Sequence, residues 1–547
     1  MIYPVPQKNN LNGDVVNVTS LSFEGEYKAL AERILADYGI SVSDGLNVEI
    51  IVSDSRKTTY IDSLSRLSRE KYFITVTDNK ITIEASCRSG IFRAFHTLGK
   101  LIVKGELRAG TLEDYPLFER RGYIEGFYGP TWKHEKRLSV MRLMAKYGMN
   151  TFYYAPKDDE YHRAKWNLPY PEKELSDLKE LFDTAAENEL SVCWCVGPGL
   201  TYHYTSEADF EALIAKFKNV YSIGVRNFGL LLDDIANDFQ YADDARAYDG
   251  IVDAHIALVN KTYNALKELN NEITLTVCPT QYFGDAADYY ISKFGSGLPS
   301  EVKIFWTGKE ICSTFITCRD ADDFARSTNH KPFYWDNYPV NDAEMFQEMH
   351  LGAVKGRDIE LYKHADGLIS NVMEYAEASK IPLMTIADYL WNPVQYDSEK
   401  SLENAQREIL GDKAELFKYI ADHLCVACVS RHGSALMSDI LSHLSFLFVT
   451  GEKDRAITEF KEYNTKMREC LAMVSDTSVE LFAEIQKWVK KFASCCDVLD
   501  SILAVWENTT EENKTNLADI LDAYNSDAVI LTGFCLRETA EKTLEML

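Results

Sequence analysis

The sequence predicts an α/β protein built on a (β/α)8 TIM barrel, with a small N-terminal α/β domain before it and a C-terminal helical bundle after it. Three observations predict this. Eight short apolar runs alternate with helical segments between residues 118 and 395. Nearly every run ends, on its C-terminal side, in a group with chemistry to offer. After Asn392-Pro393 the strand signals stop and helical periodicity takes over.

Residues 1–117 hold two strand-like runs, Asn47 to Val52 and Tyr72 to Val76. Lys80 to Glu84 alternates with period two and suits a hairpin partner across a turn at Asp78-Asn79. Tyr27–Tyr38 and Ser89–Val103 have helical spacing; in the second, Ile91, Phe95 and Leu98 share a face.

The barrel runs are Tyr123–Glu125, Asn150–Tyr154, Ser191–Val196, Phe228–Leu232, Ile273–Val277, Val302–Trp306, Pro332–Trp335 and Gly367–Ser370. Helix signals between them cover Lys133–Tyr147, Glu172–Asn188, Ala208–Ser222 and Tyr248–Leu269, and weaken after the fifth run. Periodicity alone leaves a doubly wound sheet open. The polar strand ends favour the barrel: Glu125-Gly126, Lys157-Asp158-Asp159, Asp233-Asp234, Thr280-Gln281-Tyr282, Trp306-Thr307, Trp335-Asp336-Asn337 and Asn371 would all meet at one mouth, where barrels of this class build their sites. Residues 396–547 read as a bundle, with helices at Leu402–Leu410, Ala414–Leu424, Ile457–Val474 and Val479–Val505.

Composition sets outer limits. The chain has 547 residues, 46 % of them hydrophobic, ample for large cores. Its 58 basic and 84 acidic residues leave a net charge of −26. Such a surface repels phosphate backbones and anionic headgroups, so nucleic-acid and membrane binding are not expected. The N-terminus lacks the basic start and apolar core of a secretory signal, and no run of about 18 apolar residues occurs. Twelve cysteines without framework spacing suit reduced thiols, so a cytoplasmic location is expected.

Asp233-Asp234 is the strongest local signal, two carboxylates directly after an apolar strand. Acids at a core edge must be paired, hydrogen-bonded or protonated, and a close like charge pushes one pKa upward. A carboxyl pair divided between protonated and ionised states suits acid/base catalysis. Mg²⁺ ligation and capping of a following helix compete with that reading. There is no HExxH, Walker loop, GxGxxG after a strand or GxSxG, so zinc, nucleotide and serine-hydrolase chemistry fall away, and no cofactor or metal is expected. His162, His203 and His364 read as loop or surface residues, and Cys425/Cys428 as apolar packing within a helix. What remains is a mouth of aromatics (Tyr128, Tyr282, Trp306, Trp335), amides (Asn337, Asn371), Lys157 and acids. Aromatic faces with amide and carboxylate edges suit a neutral polyhydroxylated ligand, such as a sugar.

Six ordered motifs carry a resemblance. Arg121-Gly-Tyr-Ile-Glu-Gly-Phe-Tyr-Gly129 with Trp132, Asn150-Thr-Phe-Tyr-Tyr-Ala-Pro-Lys-Asp-Asp159 with Tyr161-His-Arg163, Leu232-Asp-Asp-Ile235, Pro279-Thr-Gln-Tyr282, Trp306-Thr-Gly308, and Trp335-Asp-Asn337 with Asn341-Asp342 resemble glycoside hydrolase family 84, the β-N-acetylglucosaminidases that include protein O-GlcNAcases. The resemblance runs from about residue 70 to Pro393 and continues more loosely into the helical tail. Three departures, at Pro130-Thr131, Gly352-Ala353 and Asn371-Val372, remove no chemical group.

The resemblance implies retaining hydrolysis of terminal β-linked GlcNAc, carried by protein Ser/Thr or by small glycosides, through attack of the substrate's own acetamido oxygen. It implies Asp233 as the group that orients the acetamido N–H and Asp234 as acid/base. Tyr282 would bond the acetamido oxygen, and Thr307 and Trp335 would wall the methyl pocket. Gly126, Lys157, Asn337, Asp342 and Asn371 would hold the hydroxyls, Asp342 those at positions 4 and 6. An ion pair of Lys157 with Asp158 or Asp159 is the plainer expectation for that lysine. Two other readings are an endo-acting hyaluronidase-type enzyme and a catalytically silent GlcNAc-binding barrel.

Overall fold

A computed structural model describes residues 2–53, 67–431, 433–531 and 534–545. Eight strands, Arg121–Glu125, Thr151–Tyr154, Ser191–Val196, Asn227–Leu231, Thr274–Cys278, Lys303–Trp306, Phe333–Asp336 and Gly367–Asn371, close into a barrel. All pairs are parallel, and the last strand returns to the first in the register Ser370↔Tyr123. The eight sequence runs match these strands to within two residues at either end. They were readable because each strand is covered on both faces, which demands continuous rather than alternating apolar residues.

Helices His134–Lys146, Glu172–Glu187, Glu207–Tyr221 and Ile251–Leu269 follow the first four strands. Later crossovers are shorter: Tyr289–Ser296, Cys318–Thr328 and the one-turn Leu361–His364. The final helix, Ala376–Trp391, is buried along its whole length.

Ahead of the barrel lies a mixed six-stranded sheet, ordered Lys8–Asn10, Gly110–Asp114, Tyr72–Thr77, Lys80–Ala85, Leu46–Val52, Leu21–Phe23. The expected hairpin is present, with Thr77 opposite Lys80. Helix Arg88–Leu101 packs on its two strands and on helix Lys28–Ala36. Two buried clusters join the sheet to the barrel. Glu70 accepts from Arg93 Nε (3.0 Å), Arg121 Nη2 (2.7 Å) and Asn150 Nδ2 (3.1 Å). Asp114 accepts from Tyr72 Oη (2.6 Å) and Trp391 Nε1 (2.9 Å).

The C-terminal region is helical, from Ser398–Leu410 to Cys535–Leu544. The helix expected over 479–505 is two, Glu480–Glu484 and Gln486–Glu507, broken at Ile485. Cys425 and Cys428 lie beyond the short 3-10 turn Asp422–Leu424, outside any helix, contrary to expectation. Among the described residues, no helix is long and apolar enough to cross a membrane.

Candidate active site

A cavity of about 350 Å³ opens at the C-terminal end of the barrel strands. All ten residues to which the resemblance gives a role line it: Gly126, Lys157, Asp233, Asp234, Tyr282, Thr307, Trp335, Asn337, Asp342 and Asn371. They come from seven strand ends and the loop after the seventh strand, while the third strand supplies none. A larger groove of about 630 Å³ lies at the opposite end of the barrel and contains none of them.

The strand Asn227–Leu231 drives apolar residues into the barrel wall, and the chain emerges at Asp233-Asp234. The two acids then diverge. Asp233 is buried, whereas Asp234 stands exposed at the rim with a left-handed backbone, φ 52°. No helix starts here, since the next, Asp244–Ala247, has Asp243 at its N-cap position, so neither acid is a helix cap.

Lys157, also buried, pairs with Asp233. Neither Asp158 nor Asp159 is its partner. Asp159 instead accepts from Tyr154 Oη (2.9 Å) and Tyr170 Oη (2.8 Å). Burial raises the Asp233 carboxyl, but the Lys157 charge and its hydrogen bond outweigh burial and hold it below the usual carboxylate range. Burial likewise opposes the charge on Lys157, and Asp233 more than restores it. A cation, rather than the repulsion between the adjacent acids, thus sets the state of Asp233.

Asp234 is held by two phenols, Tyr128 Oη to Oδ2 and Tyr282 Oη to Oδ1, both at 2.8 Å. Burial pushes the Tyr128 hydroxyl up to about 12, and burial followed by Asp234 raises Tyr282 too. Both remain proton donors near neutrality. Tyr282 thus points at an acid, where the resemblance implies the acetamido oxygen as its partner.

Trp335 forms one wall. Its ring stands edge-on to Phe305, with centroids 5.3 Å apart, and its Nε1 donates to Asn337 Oδ1 at 2.9 Å. Asn371 Nδ2 donates to the same oxygen (3.0 Å), and Asn337 Nδ2 donates to the Ile311 carbonyl (2.9 Å). Asn371 Oδ1 is buried without a partner among the described residues, an acceptor suited to a ligand hydroxyl. Gly126 is required by proximity: a Cβ there would lie 2.6 Å from Trp335 Cζ2. Asp342 Oδ2 accepts from the Tyr128 amide at 2.7 Å, and burial raises its carboxyl. Thr307 donates its hydroxyl to the Glu310 carbonyl at 2.8 Å.

Trp306 is not at the mouth. It is 1 % exposed and stacks on Phe324 in the wall between barrel and helices. His162 is a turn residue but fully buried, its Nδ1 on the Cys195 carbonyl at 2.8 Å. Further lining comes from Cys278, Ile311, Cys312, Val340, Ala343 and Met345, which sequence reasoning did not single out. Apart from Cys278, at the end of the fifth strand, these sit in loops or in the 3-10 turn Ala343–Met345, where apolar residues carry no periodic signal.

Residues 121–422, more than half of the chain, match the sequence model of the β-N-acetylglucosaminidase family. The chain belongs to glycoside hydrolase family 84. A second model, domain 2 of glycosyl hydrolase family 20, matches residues 2–115 of this family 84 member. Protein O-GlcNAcases of Rattus norvegicus and Mus musculus are each 30 % identical over 274 residues, covering 49 % of this chain and 29 % of the relative. The match thus spans under a third of those relatives' length. Among solved structures, a mutant O-GlcNAc hydrolase of Thermobaculum terrenum superposes with TM-score 0.74 at 29 % identity, over 78 % of this chain and 95 % of that one. CpGH84B superposes with TM-score 0.84 at 25 % identity, over 99 % and 100 % of the two chains.

Proposed function

We propose that the chain is a retaining exo-β-N-acetylglucosaminidase, removing terminal β-linked GlcNAc from Ser/Thr of proteins or from small glycosides through an oxazoline intermediate. The observation that carries the proposal is the division of two adjacent acids: Asp233 buried against Lys157, Asp234 exposed at the rim between two phenols.

In this reading the substrate's acetamido oxygen attacks its own anomeric carbon, so the protein supplies no nucleophile. A well-held neighbouring group reaches effective molarities of about 10⁵–10⁸ M. The acetamido nitrogen gains positive character as the ring closes, and the ionised Asp233 orients its N–H and balances that charge. Asp234 protonates the departing oxygen, then takes a proton from the incoming water. Tyr282 turns its hydroxyl from Asp234 to the acetamido oxygen. That transfer frees one oxygen of the Asp234 carboxyl to face the departing oxygen. Thr307 and Trp335 enclose the methyl group. The Gly126 carbonyl, Lys157, Asn337, Asp342 and the unpartnered Asn371 oxygen receive the hydroxyls.

A cavity this small, at the low end for ligand sites, accommodates a single sugar ring and favours exo over endo action. The net charge of −26 opposes an acidic polymer such as hyaluronan. With both acids present, a silent binding barrel has no support. A reducing, cytoplasmic compartment would keep the twelve free thiols reduced.

The test is to follow an aryl N-acetyl-β-glucosaminide by proton NMR and titrate a thiazoline analogue of the oxazoline. The expected first product is the β-anomer, with tight thiazoline binding. An α-anomer, or no affinity for the thiazoline, would remove the proposal.

A further inference from the structure

Arg163 lies outside the cavity wall, in the turn that follows the second barrel strand, and reaches Asp234 by two routes. Its Nη2 donates to the Asp234 main-chain carbonyl at 3.0 Å. Its Nη1 donates to Tyr128 Oη at 2.6 Å, and that hydroxyl donates onward to Asp234 Oδ2 at 2.8 Å. The guanidinium carbon also sits 5.6 Å from the Tyr128 ring centroid. Asp234 is one of the few non-glycine residues with a positive φ, at 52°, a conformation that persists only when its surroundings hold it.

We propose that Arg163 is a positioning residue for the acid/base group, fixing both the backbone and the carboxylate of Asp234. The proposal rests on the assignment of Asp234 as acid/base. A phenol has one proton to donate. With a guanidinium N–H filling one lone pair of Tyr128 Oη, that proton is directed at Asp234 rather than at solvent. Arginine suits the task because its planar fork presents two donors at a fixed separation, one to the phenol and one to the carbonyl. Lysine would offer its donors from a single nitrogen, without the fixed separation. Proton transfer needs a reach of about 2.6–3.2 Å, and a displacement of roughly 1 Å reduces rate by about 10²-fold. Without Arg163 the carbonyl loses its donor, Tyr128 is free to reorient, and the carboxyl leaves the line of the departing oxygen.

The test compares Arg163→Met and Arg163→Lys with the wild-type protein on aryl N-acetyl-β-glucosaminides of graded leaving-group acidity, with thiazoline affinity measured in parallel. A positioning role predicts that Arg163→Met loses about 10²-fold in kcat on the poorest leaving group and under about tenfold on the most acidic. Arg163→Lys should fall between, and thiazoline affinity should stay within about threefold, because Asp233 and Lys157 are untouched. A loss equal across all leaving groups, a matching collapse of thiazoline affinity, or no loss at all would overturn the proposal. Asp234→Asn in the same series separates this from the underlying assignment. If its own loss fails to grow with leaving-group pKa, the acid/base assignment falls. If that loss grows while Arg163→Met is flat, only the positioning role falls.

Discussion

Lys157 pairs with Asp233, 76 residues away in sequence, while Asp159 beside it accepts from the phenols of Tyr154 and Tyr170. The pair sits at the floor of the cavity, with the ammonium 5.7 Å from the ring centroids of both Tyr128 and Trp335. Asp233 is thereby kept charged, while Asp234 is exposed, its carboxylate held by phenol hydrogen bonds.

Replacing Lys157 by Met should therefore act through Asp233. Asp233 is a buried carboxyl held below its ordinary range by the cation, so its charged form is favoured down to low pH. Without the cation, burial acts alone and raises it. The expected outcome is an acid limb of kcat/KM displaced upward by about one unit or more. A pH–rate profile on an activated aryl substrate checks this, and an unmoved limb contradicts it.

Asp233→Asn should damage all substrates alike, because each forms the same cyclised intermediate. Asp234→Asn should discriminate. Turnover of substrates with poor leaving groups should fall by about 10²–10⁴-fold, and that of acidic phenols far less. Plotting the logarithm of the wild-type-to-variant kcat ratio against leaving-group pKa makes the contrast direct: a flat line for Asp233→Asn and a rising one for Asp234→Asn.

Gly126→Ala tests the shape of the cavity. The added methyl would meet Trp335 Cζ2 at 2.6 Å and Asn371 Oδ1 at 3.2 Å. Trp335 is anchored by Asn337 and flanked by Phe305, so the ring has no easy retreat. KM and the thiazoline inhibition constant should rise together by about tenfold, equivalent to about 1.4 kcal/mol, with far-UV circular dichroism unchanged. An unaltered KM would show that the wall yields.

Glu70→Gln tests the seam between the N-terminal sheet and the barrel. Glu70 is buried against Arg93 and Arg121; burial raises its carboxyl, and the two arginines outweigh burial and lower it. Removing the carboxylate leaves two buried cations short of their partner, at a loss of about 3–5 kcal/mol. A depressed carboxyl contributes stability above its unfolded pKa of about 4.3 and loses it as pH falls through the folded value. The gap between variant and wild type in urea unfolding should be full at neutral pH and narrow in acid.

The barrel and most of its mouth could be read from sequence for one physical reason: strands buried on both faces are apolar throughout, and polar residues at their ends stand out. Lys8–Asn10, a three-residue strand with all its residues exposed, offers no such contrast and went unread. Trp306 read like its neighbours at the mouth, but its side chain points outward from the barrel, which a strand one residue out of phase reverses. The link from Arg163 through Tyr128 to Asp234 joins three separate loops, and nothing local in any of them announces it. Likewise the charge of Lys157 looked local, yet its partner was supplied by another strand.

Helix Ala376–Trp391 has no face to spare. One side lies on the barrel strands, the other on helices Ser398–Leu410 and Glu480–Glu484, and the Glu484 carboxylate accepts from the amides of Glu377 and Ala378 at its first turn. A barrel severed from its tail near residue 396 would thus present to water a helix with an uncapped start and an apolar flank, and would clump rather than work. A trimmed form of the chain must keep at least helices Ser398–Leu410 and Glu480–Glu484 to cover it.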